Sequence, residues 1–139
     1  LCASLEDTFR SNDEYAAKQI QETPPTFISA EHLLSLYEDN ELRADSQYLG
    51  QVLVVTGKLH SVKMDQLTNR IAVELIADKR GFKTVKCYCP LGKGAELIRY
   101  NKGDQLSLIG LNVGKGMTEL NWRGITMWGC LVSKSPLEN

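Results

Sequence analysis

The feature that most constrains the fold is a change of periodicity at Gly50. Before this residue, apolar side chains recur at helical spacing; after it, they alternate with polar ones, as in strands with one buried face. Turn residues such as Asn69 and Gly81 divide the alternating part into separate strands. The predicted strands are Val52–Met64, Arg70–Ala77, Lys83–Cys89, Gln105–Val113 and Glu119–Val132.

Five strands with a longer connector between the third and the fourth are typical of an OB-fold, a partly open Greek-key barrel. Gly57 lies inside the long first strand, which has to bend if it is to serve both halves of such a barrel. An SH3-like barrel and a small sandwich are the alternatives. We therefore predict a mainly β protein, a five-stranded OB-fold Greek-key barrel preceded by two α-helices.

The two helices precede the barrel in the first 49 residues. The first is weakly amphipathic, covers Ser4–Gln21 and is followed by Pro24-Pro25, which cannot continue a helix and favours an extended connector. The second covers Ala30–Glu41 with Ser29 as its N-cap. We expect the N-terminal helix and the Pro-Pro linker over residues 1–27, and the OB-fold domain with its leading helix over residues 28–139.

The net charge of −1 conceals a division along the chain. Residues 1–49 hold three basic and ten acidic residues, whereas residues 50–134 hold thirteen basic and six acidic residues. The barrel therefore carries an excess of positive charge that could attract a polyanion. The alternative is that the acidic segment folds onto the basic one and neutralises it.

A run of residues around the second helix resembles a known family. The run is Tyr37-x-x-Asn40-Glu41-x-x-Ala44-Asp45-x-x-Tyr48-x-Gly50, followed by Val55-x-Gly57, with looser matches at Val85-x-Cys87, Lys102-Gly103-Asp104-Gln105 and Cys130. It is similar to the bacterial tRNA-anti-like OB-fold family over roughly Ile28–Val132, with the first helix outside. The resemblance implies an OB barrel, a nucleic-acid-binding label by likeness to anticodon-binding domains, and export or lipid anchoring in many members.

The predicted binding surface is the outer face of the second and third strands, where OB-folds bind single strands through basic side chains and aromatic platforms. Tyr88 would stack a base and the cations would contact phosphates, with Lys79 and Arg80 on the adjoining turn. We expect single-stranded DNA or RNA as the ligand. The candidate binding residues are Lys58, Lys63, Arg70, Lys83, Lys86, Tyr88, Trp122 and Arg123.

The four cysteines include no C-x-x-C pair, so the usual zinc and redox spacings are absent. Cys87 and Cys89 face inward on the third strand, and Cys130 on the neighbouring last strand comes near them. We predict that they pack as small apolar residues, with no metal or other cofactor. A soft-metal site, or a disulfide from Cys130 in an exported protein, is the alternative. Cys2 is a possible site of a lipid anchor.

The sequence contains no nucleophile elbow, no H-E-x-x-H and no complete phosphate loop, so we predict a binding module and not an enzyme. A protein-interaction module of the bacterial cell envelope, docking through loops or an edge strand, is the alternative. We favour the envelope, exported or lipid-anchored, over the cytoplasm. No stretch approaches the ~18 apolar residues of a transmembrane helix.

Overall fold

The computed structural model describes residues 2–115 and 124–133, with side chains from residue 8 onward. The α-helices are α1 (Cys2–Glu22), α2 (Ala30–Asp39) and α3 (Glu41–Tyr48). The strands are β1 (Thr26–Ser29), β2 (Val52–Asp65), β3 (Arg70–Ile76), β4 (Thr84–Cys89), β5 (Gln105–Lys115) and β6 (Ile125–Val132). Two 3₁₀ segments, Leu91–Lys93 and Ala95–Arg99, form the connector between β4 and β5.

Five of the strands form an OB-type barrel in the order β2-β3-β4-β6-β5, and β5 pairs back onto β2. The long β2 serves two neighbours, because its first half pairs with β5 and its second half with β3. The register shifts between Leu59 and Ser61, two residues beyond the predicted bend at Gly57. Gly57 instead permits a close approach, because a Cβ there would lie 3.2 Å from Ala30 Cβ.

The segment before β2 differs from the prediction of two helices. It contains a third helix, α3, beyond the predicted end of the second helix at Glu41. Asn40 caps α3 by accepting a hydrogen bond from the Arg43 amide at 3.0 Å. It also contains a sixth strand, β1, which runs parallel to β2 with Thr26 opposite Leu53. The extended segment that follows the two prolines is therefore used for pairing. Helices and strands alternate here, so the helices do not simply precede the β structure.

The interior of the barrel is filled by inward-facing apolar side chains and is closed by α2. Leu33, Leu34 and Tyr37 of α2 are buried in this core. The predicted N-cap is confirmed, because Ser29 Oγ accepts a hydrogen bond from the His32 amide at 3.0 Å. The beginning of α2 lies beside the point at which β2 changes its pairing partner from β1 to β3.

The helix α1 lies across the outside of the barrel against β5 and β6. Ala16 is fully buried there and approaches Gly129 so closely that a Cβ on that glycine would lie 2.4 Å from Ala16 Cβ. Phe9 and Ile20 extend the contact onto a second apolar cluster, which includes Trp128. No helix among the described residues is long and apolar enough to cross a membrane.

Candidate nucleic-acid interface

Two residues of the predicted platform on the outer face of β3 and β4 are buried, one against Trp128 and the other against α1. Tyr88 is 6% exposed and packs on Trp128, with ring centroids 5.2 Å apart. Arg70 is 5% exposed, and its Nε donates to Asp13 Oδ2 of α1 at 2.7 Å. Both residues lie on the outer face as predicted, but a docked α1 keeps a nucleic-acid strand from reaching them.

Two predicted lysines lie beside this covered area. Lys63 is exposed near the end of β2. Lys86 is half-buried opposite Glu74, and its Nζ lies 5.8 Å from the centroid of the Tyr88 ring. Two further predicted residues, Trp122 and Arg123, lie outside the described residues.

A groove of about 720 Å³ opens where β2 changes partner from β1 to β3. Its walls are the beginning of α2, the middle of β2 and the β3–β4 loop. Lys58, Lys79 and Arg80 line it, and the described part of the chain offers none of the three an ion-pair partner. The groove therefore gathers positive charge at a surface that α1 does not cover.

The β3–β4 loop is held in shape by Asp78. Its Oδ1 accepts hydrogen bonds from the amides of Phe82 at 2.9 Å and Lys83 at 3.2 Å, and Gly81 supplies a positive φ of 76°. Phe82 is left 74% exposed beside a second hollow of about 310 Å³, which Lys79 and Arg80 also line. The predicted site residue Lys83 forms an ion pair with Glu38 of α2.

Sequence reasoning did not single out Phe82. The available signal was an aromatic residue in a turn, flanked by Arg80 and Lys83, since apolar side chains are uncommon at such positions unless they contact something. The alternation along the strands favoured Tyr88 instead. In the structure Tyr88 is buried and Phe82 is exposed.

Several of the family-like residues meet around Asn112 of β5. Asn112 Nδ2 donates to the Tyr37 hydroxyl and to the Tyr48 carbonyl, each at 3.0 Å. The Tyr37 hydroxyl donates to Asp45 Oδ1 at 2.7 Å. Burial, and then the hydrogen bond to Asp45, raise the pKa of Tyr37 well above its usual value. These residues join the helices to the barrel.

The thiols of Cys87, Cys89 and Cys130 are free and buried inside the barrel. Cys130 lies within hydrogen-bonding distance of the other two thiols, and burial, followed by these hydrogen bonds, raises its pKa. Gly110 makes room for this cluster, since a Cβ there would lie 2.5 Å from Cys130 Sγ. The described residues contain no group of three or more His, Cys, Asp or Glu arranged to hold a metal ion.

Several solved structures are similar to this chain to different degrees. A protein of Klebsiella pneumoniae subsp. pneumoniae, whose name proposes a nucleic acid-binding lipoprotein, has a TM-score of 0.61 at 16% identity, covering 79% of this chain and 92% of that chain. The OBody AM3L09, bound to hen egg-white lysozyme, has a TM-score of 0.44 at 14% identity, covering 64% of this chain and 87% of that chain. The structure of yeast Stn1 and Ten1 has a TM-score of 0.42 at 14% identity, covering 84% of this chain and 67% of that chain.

None of the curated proteins compared with this chain matches it. The tRNA_anti-like family matches residues 3–121, a span that includes α1 as well as most of the barrel. The resemblance expected from the sequence begins at Ile28 and omits the first helix, so this boundary is corrected to include α1. With its OB-type barrel and a match over most of its length, the chain belongs to the tRNA_anti-like family.

Proposed function

We propose that this protein is a non-enzymatic OB-fold module that binds single-stranded nucleic acid through the basic outer surface of its barrel. The observation that carries the proposal is the set of cations left uncovered by α1. Lys58, Lys63, Lys79 and Arg80 are exposed and have no ion-pair partner among the described residues. Binding of phosphates to such cations releases counterions and favours association with a polyanion.

The acidic N-terminal segment neutralises other parts of the barrel. Arg70 pairs with Asp13, and Lys115 Nζ lies 3.8 Å from Glu41 Oε1. Lys83 pairs with Glu38, so each of the helices α1, α2 and α3 contributes an acidic residue that faces a cation of the barrel. The remaining cations therefore mark the part of the barrel available to an anionic ligand. The name of the Klebsiella protein supports the same ligand class.

The test is fluorescence anisotropy of labelled dT15 and rU15 titrated with the full chain at 50 and 200 mM salt. If three phosphates are contacted, the single-strand salt slope predicts a loss of roughly 20-fold in affinity between these salt concentrations. A duplex of the same length serves as the comparison ligand. Absence of binding to both single strands at 50 mM salt would overturn the proposal.

A protein-interaction module is the second candidate function. Val62, Met64 and Leu67 expose apolar side chains on β2 and the hairpin that follows it. Exposed apolar side chains close together in the chain are a feature of docking surfaces. Retention of nucleic-acid binding by a Met64→Ser/Leu67→Ser variant, together with loss of a co-purifying protein, would assign this hairpin to a separate interaction.

We propose the bacterial cell envelope as the location. The support is the word lipoprotein in the name of the Klebsiella protein, together with a cysteine, Cys2, that could carry a lipid. Expression of the natural full-length protein with a clickable palmitate analogue tests this directly. Labelling that disappears in a Cys2→Ala variant is expected, and equal labelling of both would contradict an anchor at Cys2.

A further inference from the structure

We propose that the groove beside the β3–β4 loop is a seat for one phosphate of a single strand, with the neighbouring base stacked on Phe82. This inference rests on the proposed function and specifies which part of the barrel would carry it. It differs from the predicted site, which placed the aromatic platform at Tyr88 on the outer face of the barrel wall.

The groove is formed by the topology and not by a loop alone. The edge of β2 that does not pair with β5 is occupied first by β1, as far as Thr56, and then by β3, from Leu59. Gly57 and Lys58 lie between these two partners and line the groove. The floor is thus a barrel strand, and its position does not depend on the β3–β4 loop.

The electrostatics of the groove suit an anion. Lys58, Lys79 and Arg80 reach it from two different elements, and within the described ranges none of them pairs with a carboxylate. Two acids also line it. Asp78 already accepts two loop amides through Oδ1, and Glu31 is exposed to solvent on the α2 wall. A phosphate bound there would meet an excess of cationic donors.

Phe82 supplies the feature that distinguishes a nucleic-acid strand from a simple anion. Its ring is mostly exposed, while its amide is held by Asp78, so the loop presents the ring without having to rearrange. The hollow beside it is lined by Lys79, Arg80 and the ion pair of Lys83 with Glu38, and by Asp78, so two cations without a carboxylate partner among the described residues lie near the ring. A base stacked on such a ring strengthens binding by roughly 5- to 150-fold.

The experiment compares dT10 with an abasic 10-mer, which keeps the phosphates but lacks the bases. In the full chain, Phe82→Ala should weaken binding of dT10 at least fivefold and leave binding of the abasic strand unchanged. Lys79→Glu should weaken binding of both strands about tenfold and reduce the salt slope by about 0.7, because it removes one phosphate contact. These different signatures separate stacking from charge.

The controls make comparable changes in the connector between β4 and β5, none of whose residues lines the groove or the neighbouring hollow. Lys93→Glu reverses an exposed lysine in the connector, and Ile98→Ala truncates a side chain that is 87% exposed. If the wild-type chain binds dT10 but Lys79→Glu and Phe82→Ala behave like these controls, the seat is overturned and the proposed function stands. If the wild-type chain binds neither dT15 nor rU15 at 50 mM salt, the proposed function is overturned and the seat with it.

Discussion

At the scale of single residues, the buried polar joint around Asn112 explains why the family-like run has its spacing. Tyr37 on α2 and Asp45 on α3 meet above β5, and Asn112 ties both the Tyr37 hydroxyl and the Tyr48 carbonyl to the barrel. A phenol of this kind stabilises the fold only while it carries its proton. Its titration is therefore coupled to unfolding.

The stability contributed by Tyr37 is expected to fall at alkaline pH. Its pKa is raised in the folded state, first by burial and then by Asp45, so above about pH 10 the unfolded chain loses this proton first. Between pH 9.5 and 11 the wild-type chain should lose roughly 1 kcal/mol more free energy of unfolding than Tyr37→Phe. Urea denaturation of both proteins across this range measures the difference.

At neutral pH the same substitution should cost about 1–3 kcal/mol, because Asp45 and Asn112 lose their shared partner. If the free energies of unfolding of the two proteins fall in parallel between pH 9.5 and 11, the pH dependence does not come from Tyr37.

The three core thiols are expected to be chemically silent in the folded protein. They are buried, and the raised pKa of Cys130 keeps it in the unreactive thiol form. With a Cys2→Ser background to remove the remaining cysteine, a thiol reagent at pH 8 should titrate none of them until urea unfolds the chain. Rapid modification of one thiol without urea would show that the barrel admits the reagent.

At the scale of elements, the regular strands were predictable and the unusual ones were not. Alternation between apolar and polar residues identified β2 to β5 to within two residues at each end. The four-residue β1 is too short to show a period, and its pairing is fixed by the distant β2. The position of α1 depends on Ala16 fitting against Gly129, 113 positions later in the chain, and no local pattern reports such a contact.

The docking of α1 is expected to depend on Asp13. Its carboxylate compensates the nearly buried Arg70 guanidinium, and loss of one partner of a buried pair typically costs about 3–5 kcal/mol. An Asp13→Ala variant should relieve this cost by releasing α1 while the barrel stays folded. Hydrogen exchange over Phe9–Ile20 should then accelerate at least tenfold, and exchange in β2 should be unchanged.

The matched control is Glu14→Ala, which removes the same charge from an exposed position of α1. Equal protection of α1 in all three proteins would show that the apolar contacts hold the helix without the ion pair.

At the scale of the whole molecule, the sequence correctly indicated a basic barrel and an acidic N-terminal segment, but not which cations would be neutralised. Arg70 and Lys83 were predicted to contact nucleic acid and are paired with acids, whereas Lys58 and Lys63 stay exposed. The acidic segment therefore neutralises some cations of the barrel, as the second alternative expects, and leaves others exposed. Periodicity gives the face of a strand, but whether another element covers that face is decided by tertiary packing.

If the proposed function holds, the affinity for nucleic acid is expected to depend on where α1 lies. Release of the helix by Asp13→Ala would expose Arg70, Tyr88 and Trp128 on the face that OB-folds use for single strands. Two additional aromatic platforms and one cation should tighten binding of dT15 by tenfold or more. The measurement is anisotropy at 200 mM salt, where non-specific attraction is reduced.

Loss of a negative charge could by itself favour binding, and the Glu14→Ala variant isolates that contribution. If Asp13→Ala tightens binding beyond Glu14→Ala, α1 covers a second part of the binding surface and competes with the strand for it. If the two variants bind equally, the face beneath α1 takes no part in binding. The groove at the β3–β4 loop would then be the place where the barrel meets its ligand, because its cations are accessible with α1 docked.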